Sequence, residues 1–183
     1  MIGITSEGAA EDDMNGISFD AASPSLRSEV QVGDGPYDLT VAWSYLNEGG
    51  DGNLSCRHAK AELVSEDYFG MKVLAGAVTD AEGLVVFKGL STGLYAVVIY
   101  AEDRSTVKVI SDSIEGHDTY SWSTETYVIS GSRNLTQVIG GTERGAWNAY
   151  DVIRTAASWL DAQVGWTRDK VSVVWPTEAW PHS

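Results

Sequence analysis

Cysteine is nearly absent: Cys56 is the only one in 183 residues. A single thiol excludes an internal disulfide framework and any zinc site built from several cysteines. No run of about 18 apolar residues occurs, so the sequence offers no helix suited to span a bilayer. Basic residues are few, 12 against 26 acidic ones, for a formal net charge of -14. Such a surface repels phosphate backbones and anionic lipid heads, which excludes nucleic acid and membrane insertion from the expected partners. The opening residues, MIGITSEGAAEDDMNG, lack the basic and apolar regions of a secretory signal. That leaves a cytoplasmic protein or a piece whose leader has been removed. Scarce lysine with abundant Asp, Glu, Gly, Ser and Thr favours an extracellular or cell-surface setting.

The usual catalytic signatures are missing as well. A zinc hydrolase needs two histidines one helical turn apart beside a glutamate, whereas His58, His117 and His182 stand isolated. No Gly-x-Ser-x-Gly elbow is present, and Cys56 has no evident activating base. Of the loop acids, the stretch Glu48 to Asn53 comes nearest to a calcium loop, but it lacks the alternating acids and the closing glutamate of one. Lys60 and Asn134 could in principle form an isopeptide bond, without any spacing that supports the pairing. Asn53-Leu-Ser and Asn134-Leu-Thr match glycosylation acceptors, which matter only in a eukaryotic secretory route. The expectation is a protein that is not an enzyme and carries no cofactor or metal.

What the chain does have is β pattern. Residues 1–35 are rich in Gly, Ala, Ser and acids without sustained periodicity, as in a flexible acidic arm or linker. A strand added to a neighbouring sheet edge is the other reading of that segment. From residue 36 to 140, short runs with period two alternate with Gly, Asp, Asn and Ser clusters, an antiparallel signature. Leu39, Val41, Trp43 and Tyr45 share one strand face, and Ala59, Ala61 and Leu63 share another. In Leu94 to Tyr100 both faces are apolar, which predicts a central strand covered on each side. After Gly140 the period changes. Tyr150, Ile153, Ala157, Leu160 and Val164 recur at helical spacing, so the sequence predicts one helix from Asn148, its N-cap, to Val164, with Gly165 beyond its end. Val171 to Trp175 follows as a strand. The sequence therefore predicts a mainly β fold, an antiparallel β-sandwich followed by one α-helix and a strand. Residues 141–183 read as a helix-strand segment that could open a second domain.

One stretch is specific enough to compare. In VTDAEGLVVFKGLSTGLYAVVIYA, residues 78–101, Thr79-Asp80 ends a strand, Gly83 turns it, Phe87 and Leu90 point inward, and Tyr95-x-Val97 enters the next strand. This resembles the transthyretin-like, or carboxypeptidase regulatory-like, sandwich. The following AWNAYDVIRTAASWL and VSVVWP are similar to the junction that precedes the catalytic part of bacterial extracellular zinc-metallopeptidase-like proteins. The His-Glu-x-x-His helix of that family has no counterpart here. The resemblance implies a non-catalytic accessory domain of a secreted or surface peptidase-like protein, whose partner is a downstream domain or another protein. The alternatives are a carbohydrate- or protein-binding module and a structural subunit that assembles with its own copies through edge strands. Trp147, Trp175 and Trp180, clustered near the C-terminal end, are the candidate interdomain or ligand patch, because exposed indole rings stack on sugars and on apolar protein surfaces.

Overall fold

A computed structural model describes residues 4–5, 28–47, 49, 52–67, 70–111, 118–141, 143–165 and 169–175. Two sheets form the body. The first is ordered β12 (Arg133–Ile139), β3 (Tyr37–Leu46), β7 (Leu84–Leu90) and β2 (Glu29–Gln31), with the short β4 (Asn53–Ser55) also on β3. In the second the order is β10 (Ser121–Ser123), β8 (Gly93–Tyr100), β5 (Lys60–Asp67) and β6 (Gly70–Val78), with β11 (Tyr127–Ile129) also on β8. Alternation decides what lies between the sheets. Leu39, Val41, Trp43, Tyr45 and Phe87 from the first sheet meet Ala61, Leu63, Val97 and Ile99 from the second in one buried core, as period two requires of a sandwich. The fold class is thus the expected one: mainly β, with one helix and a closing strand after the sandwich.

The turn read from the sequence at Thr79-Asp80 forms as chemistry suggests. Asp80 Oδ1 accepts from the backbone N–H groups of Glu82 and Leu84 at 3.0 and 2.8 Å, an Asx arrangement. Gly83 sits at φ 77°, and a Cβ there would lie 2.3 Å from the Trp43 carbonyl oxygen. Only glycine satisfies both demands.

Three expectations need correcting. Within the supposed arm, Glu29–Gln31 is a sandwich strand, pairing parallel with β7, and β1 (Ile4–Thr5) lies antiparallel on β13 (Val171–Trp175). At both places it is the other reading of that segment, a strand added to a sheet edge, that the structure shows. The helix α1 spans Glu143–Val164, 22 residues, so it starts five residues before Asn148. That asparagine is no cap: its Nδ2 donates to the Arg144 carbonyl one turn back at 2.9 Å. Finally, β8 is central in its sheet, yet its second face is not covered throughout, since Leu94 remains 41% exposed. The end of α1 does fall as expected, with Gly165 at φ 62° and its N–H donated to the Asp161 carbonyl at 2.8 Å.

β13 does not stand apart from the sandwich. It pairs in parallel with β9 (Val107–Ser111), Val171 opposite Val107 through Trp175 opposite Ser111, and makes a third, small sheet with β1. The N-terminal part of α1 packs on β9 and β3, burying Gly145, Ala146, Trp147 and Tyr150. Its later turns are mostly exposed.

Candidate functional site

The densest polar and aromatic cluster lies where α1 meets the turn between β4 and β5. Cys56, Arg57 and His58 form that turn, and His58 holds φ 54°, a left-handed conformation that costs a branched or bulky side chain about 1–2 kcal/mol. The turn is pinned from both sides. Thr79 Oγ1 donates to the Cys56 carbonyl and accepts from the Ala59 N–H. The Tyr150 hydroxyl, from α1, lies 3.1 Å from the Arg57 carbonyl and 3.0 Å from that of His58, sharing its one proton between them. Arg57 in turn reaches α1, its Nη2 donating to both carboxylate oxygens of Asp151 at 2.7 and 2.9 Å.

A second pair ties the helix to the turn before β9. Asp103 Oδ1 accepts from the N–H groups of Ser105, Thr106 and Val107 at 3.2, 2.6 and 2.9 Å, while its Oδ2 lies 3.7 Å from Arg154 Nε. Beside these ionic ties Trp147 stacks on Tyr45, ring centres 6.5 Å apart, and meets Tyr150 edge-on at 5.6 Å. Both geometries suit aromatic quadrupoles. Trp175 of β13 packs against the bare α-carbon of Gly145, where a Cβ would come within 2.4 Å of the indole, and its carbonyl accepts from the Tyr120 hydroxyl at 3.2 Å.

Electrostatics shows what this cluster can do. Burial, and then the Asp151 charge, pushes the Cys56 thiol well above its ordinary range, so it stays protonated and is a poor nucleophile. Burial raises Tyr45 and Tyr150 in the same way, helped by Asp151 and Asp103 respectively. His58 moves down from 6.5 because of burial first, then the nearby Arg154 and Arg57 guanidinium groups. Among the described residues no three His, Cys, Asp or Glu side chains come together as a metal site. The chemistry available is that of a clasp.

The His58 shift has a measurable sign. A histidine whose pKa is lower folded than unfolded binds more protons in the unfolded chain, so stability falls as pH drops through 6.5 and below. The His58→Gln variant should lose this component, giving a shallower decline in melting temperature between pH 7 and pH 5 than the parent chain. Parallel declines for the two proteins would contradict it.

Of the three tryptophans expected to form a patch, Trp147 is 1% exposed and belongs to the joint between sandwich and helix. Trp175 is half-buried on Gly145. Trp180 lies outside the described residues, as do His117, His182 and the Glu48 and Asp51 carboxylates. Lys60 makes an ion pair with Glu62 at 2.9 Å and lies over the Tyr100 ring, whereas Asn134 belongs to the other sheet. The exposed tryptophan of the helix is Trp159, 61% exposed. It closes a shallow open groove with Arg57, Asp151, Val152, Thr155 and Ala156. Sequence reasoning missed Arg57, Asp103, Arg154 and the outward phase of Trp159. The last was legible from Val152, Ala156 and Trp159 recurring at four and three residues, a second stripe beside the one used to find the helix.

Fold and site together define a mainly β sandwich carrying a clasped helix and a closing strand. No protein family matches the chain, and no curated protein does. Among solved structures it is similar to a Pseudomonas aeruginosa protein described as a candidate carbohydrate binding protein, at 14% identity and TM-score 0.37 over 61% of this chain and 91% of that one. It is similar to Klebsiella pneumoniae 5-hydroxyisourate hydrolase at 19% identity and TM-score 0.34, covering 55% and 89% of the two chains. Sparus aurata transthyretin matches at 13% identity and TM-score 0.35, covering 56% and 90%.

Proposed function

We propose that this chain is the non-catalytic accessory sandwich of a secreted or surface peptidase-like protein, and that it holds out α1 as a docking element for a partner domain. The observation that carries this reading is the asymmetry of the helix. The helix is fixed by Trp147, Tyr150 and the Arg57–Asp151 pair, whereas the apolar side chains of Val152, beside that pair, and of Trp159 and Val164, further along, are 66, 61 and 69% exposed. A helix at the surface ordinarily turns such residues inward. Rigid mounting lowers the ordering cost of binding, and an aromatic flanked by aliphatic side chains is the usual anchor of a protein contact.

Two measurements test this. The pure chain should hydrolyse neither peptide nor glycoside substrates, with or without added zinc; chelator-sensitive turnover would overturn the non-catalytic reading. An apolar dye such as anilinonaphthalene sulfonate should bind the folded chain, and the Val152→Ser/Trp159→Ala double variant should lose most of that fluorescence at unchanged melting temperature. Undiminished dye binding would mean that α1 is not the apolar surface. The neighbouring Arg57 and Asp151 favour a second reading, in which Trp159 stacks a sugar ring while the charged pair bonds its hydroxyls. Glycan-array binding lost in Trp159→Ala would decide for it.

A further inference from the structure

The third sheet ends on a strand taken from the far end of the sequence. β13 pairs with β9 along one side, and along the other its partner among the described strands is β1, two residues long. Across the sheet, Val109, Val173 and Ile4 fall in one row, and Lys108, Ser172 and Thr5 in the next. Val109 and Val173 are buried, so the first row belongs to the core side. Were the β1 position empty, β13 would show open backbone beside Val171, Val173 and Trp175, an apolar edge of the kind that folded proteins cover. After Thr5 the next described residue is Ser28; the connection, residues 6–27, is 22 residues long. A chain of that length reaches up to about 75 Å.

We propose that the edge of β13 accepts residues 4–5 from a second copy of this chain, so that two molecules exchange their N-terminal strands. The structure names the occupant: the edge already holds a strand of this sequence, and a second copy brings the identical segment in the same antiparallel register. Exchange therefore gives up no contact. Which molecule donates is decided by the connecting segment, through the effective concentration it gives its own strand, and that concentration falls as a tether lengthens. Charge favours the same junction. The chain carries -14, yet β1, β9 and β13 contain no acid and one base, Lys108. The incoming segment is as neutral, since the first acid of the sequence is Glu7. A connection of this reach also lets the two acidic bodies stay apart by far more than the screening length of about 8 Å. None of the exposed side chains of α1 takes part.

Thr5→Cys in one preparation of the full chain and Ser172→Cys in another test this, because the two positions face each other in register. Directly opposed antiparallel residues have Cα atoms about 4.5–5.5 Å apart, within disulfide range. Mixed, equilibrated and mildly oxidised, the two variants should give a covalent heterodimer whose linked peptides contain residues 5 and 172, in a yield that rises with concentration. Cys56, fully buried, does not compete. A synthetic peptide of residues 1–8, MIGITSEG, in excess should lower that yield severalfold by taking the same edge. Thr5→Cys mixed with Val138→Cys, 43% exposed on the end strand β12, sets the level of random collision. The Thr5→Cys/Ser172→Cys double variant, oxidised when dilute, should close its disulfide within one molecule; failure to close at all would overturn the proposal. So would a heterodimer no more abundant than in the Val138→Cys mixture, or a double variant that stays intramolecular at every concentration. Each of these outcomes leaves the docking role of α1 untouched.

Discussion

Truncating Trp147 to alanine should destabilise the protein by about 3–5 kcal/mol, the range for a buried tryptophan replaced by alanine. Its indole is 1% exposed and bridges Tyr45 of the sandwich and Tyr150 of the helix, so nothing in the vicinity can collapse into the space. Beyond the lost burial, the helix would be left with Tyr150 on the 57–58 turn, Gly145 against Trp175 and the Arg57–Asp151 and Arg154–Asp103 pairs. Arg57 is 41% exposed, and partly solvated pairs contribute little on their own. Chemical denaturation should therefore show a lowered midpoint, and circular dichroism should show helix lost ahead of sheet. Trp159→Ala is the internal control, because that side chain is 61% exposed and its loss should stay within about 0.5 kcal/mol. Equal effects at the two positions would show that the helix is seated differently.

Phe87→Ala should cost a comparable amount, about 3–5 kcal/mol, but with a different signature. Phe87 is fully buried on β7, opposite Leu39 of β3 and beside Val30 of β2. Its removal opens a cavity inside the sandwich, so sheet and helix should melt together at the lower midpoint. A cost below about 1 kcal/mol would mean that the residue faces solvent and that the register of β7 is off by one, since a one-residue slip exchanges the two faces of a strand.

The sandwich was largely legible because its code is local. Leu39 to Tyr45, Ala59 to Leu63 and Tyr95 to Ile99 alternate over several residues, and every inward position expected from that alternation is buried. Strands of two or three residues carry no such code. Ile4–Thr5 and Glu29–Gln31 are strands because β13 and β7 offer them edges, a fact about partners far along the chain. The start of α1 was misread for a related reason. Asn148 is a good capping residue in isolation, but Trp147 and Gly145, just before it, are drawn into the helix by what they bury against Tyr45 and Trp175. The clasp itself was the least readable part. Arg57 and Asp151 are separated by 94 positions, and no periodicity joins a turn residue to a charge on a helix.

Strand order has a consequence for how the chain reaches this state. The parallel pairing of β12 with β3 sets Val41 beside Leu135 and spans most of the sandwich sequence. Closing so large a loop costs entropy before any contact repays it, and folds dominated by such pairings form in milliseconds to seconds rather than microseconds. Trp147 stacks on Tyr45 of β3 while α1 also packs on β9, so its seat forms only when those two distant strands have come together. The order of assembly expected from this is sandwich first and clasp last, with β3 protected from hydrogen exchange ahead of α1 during refolding.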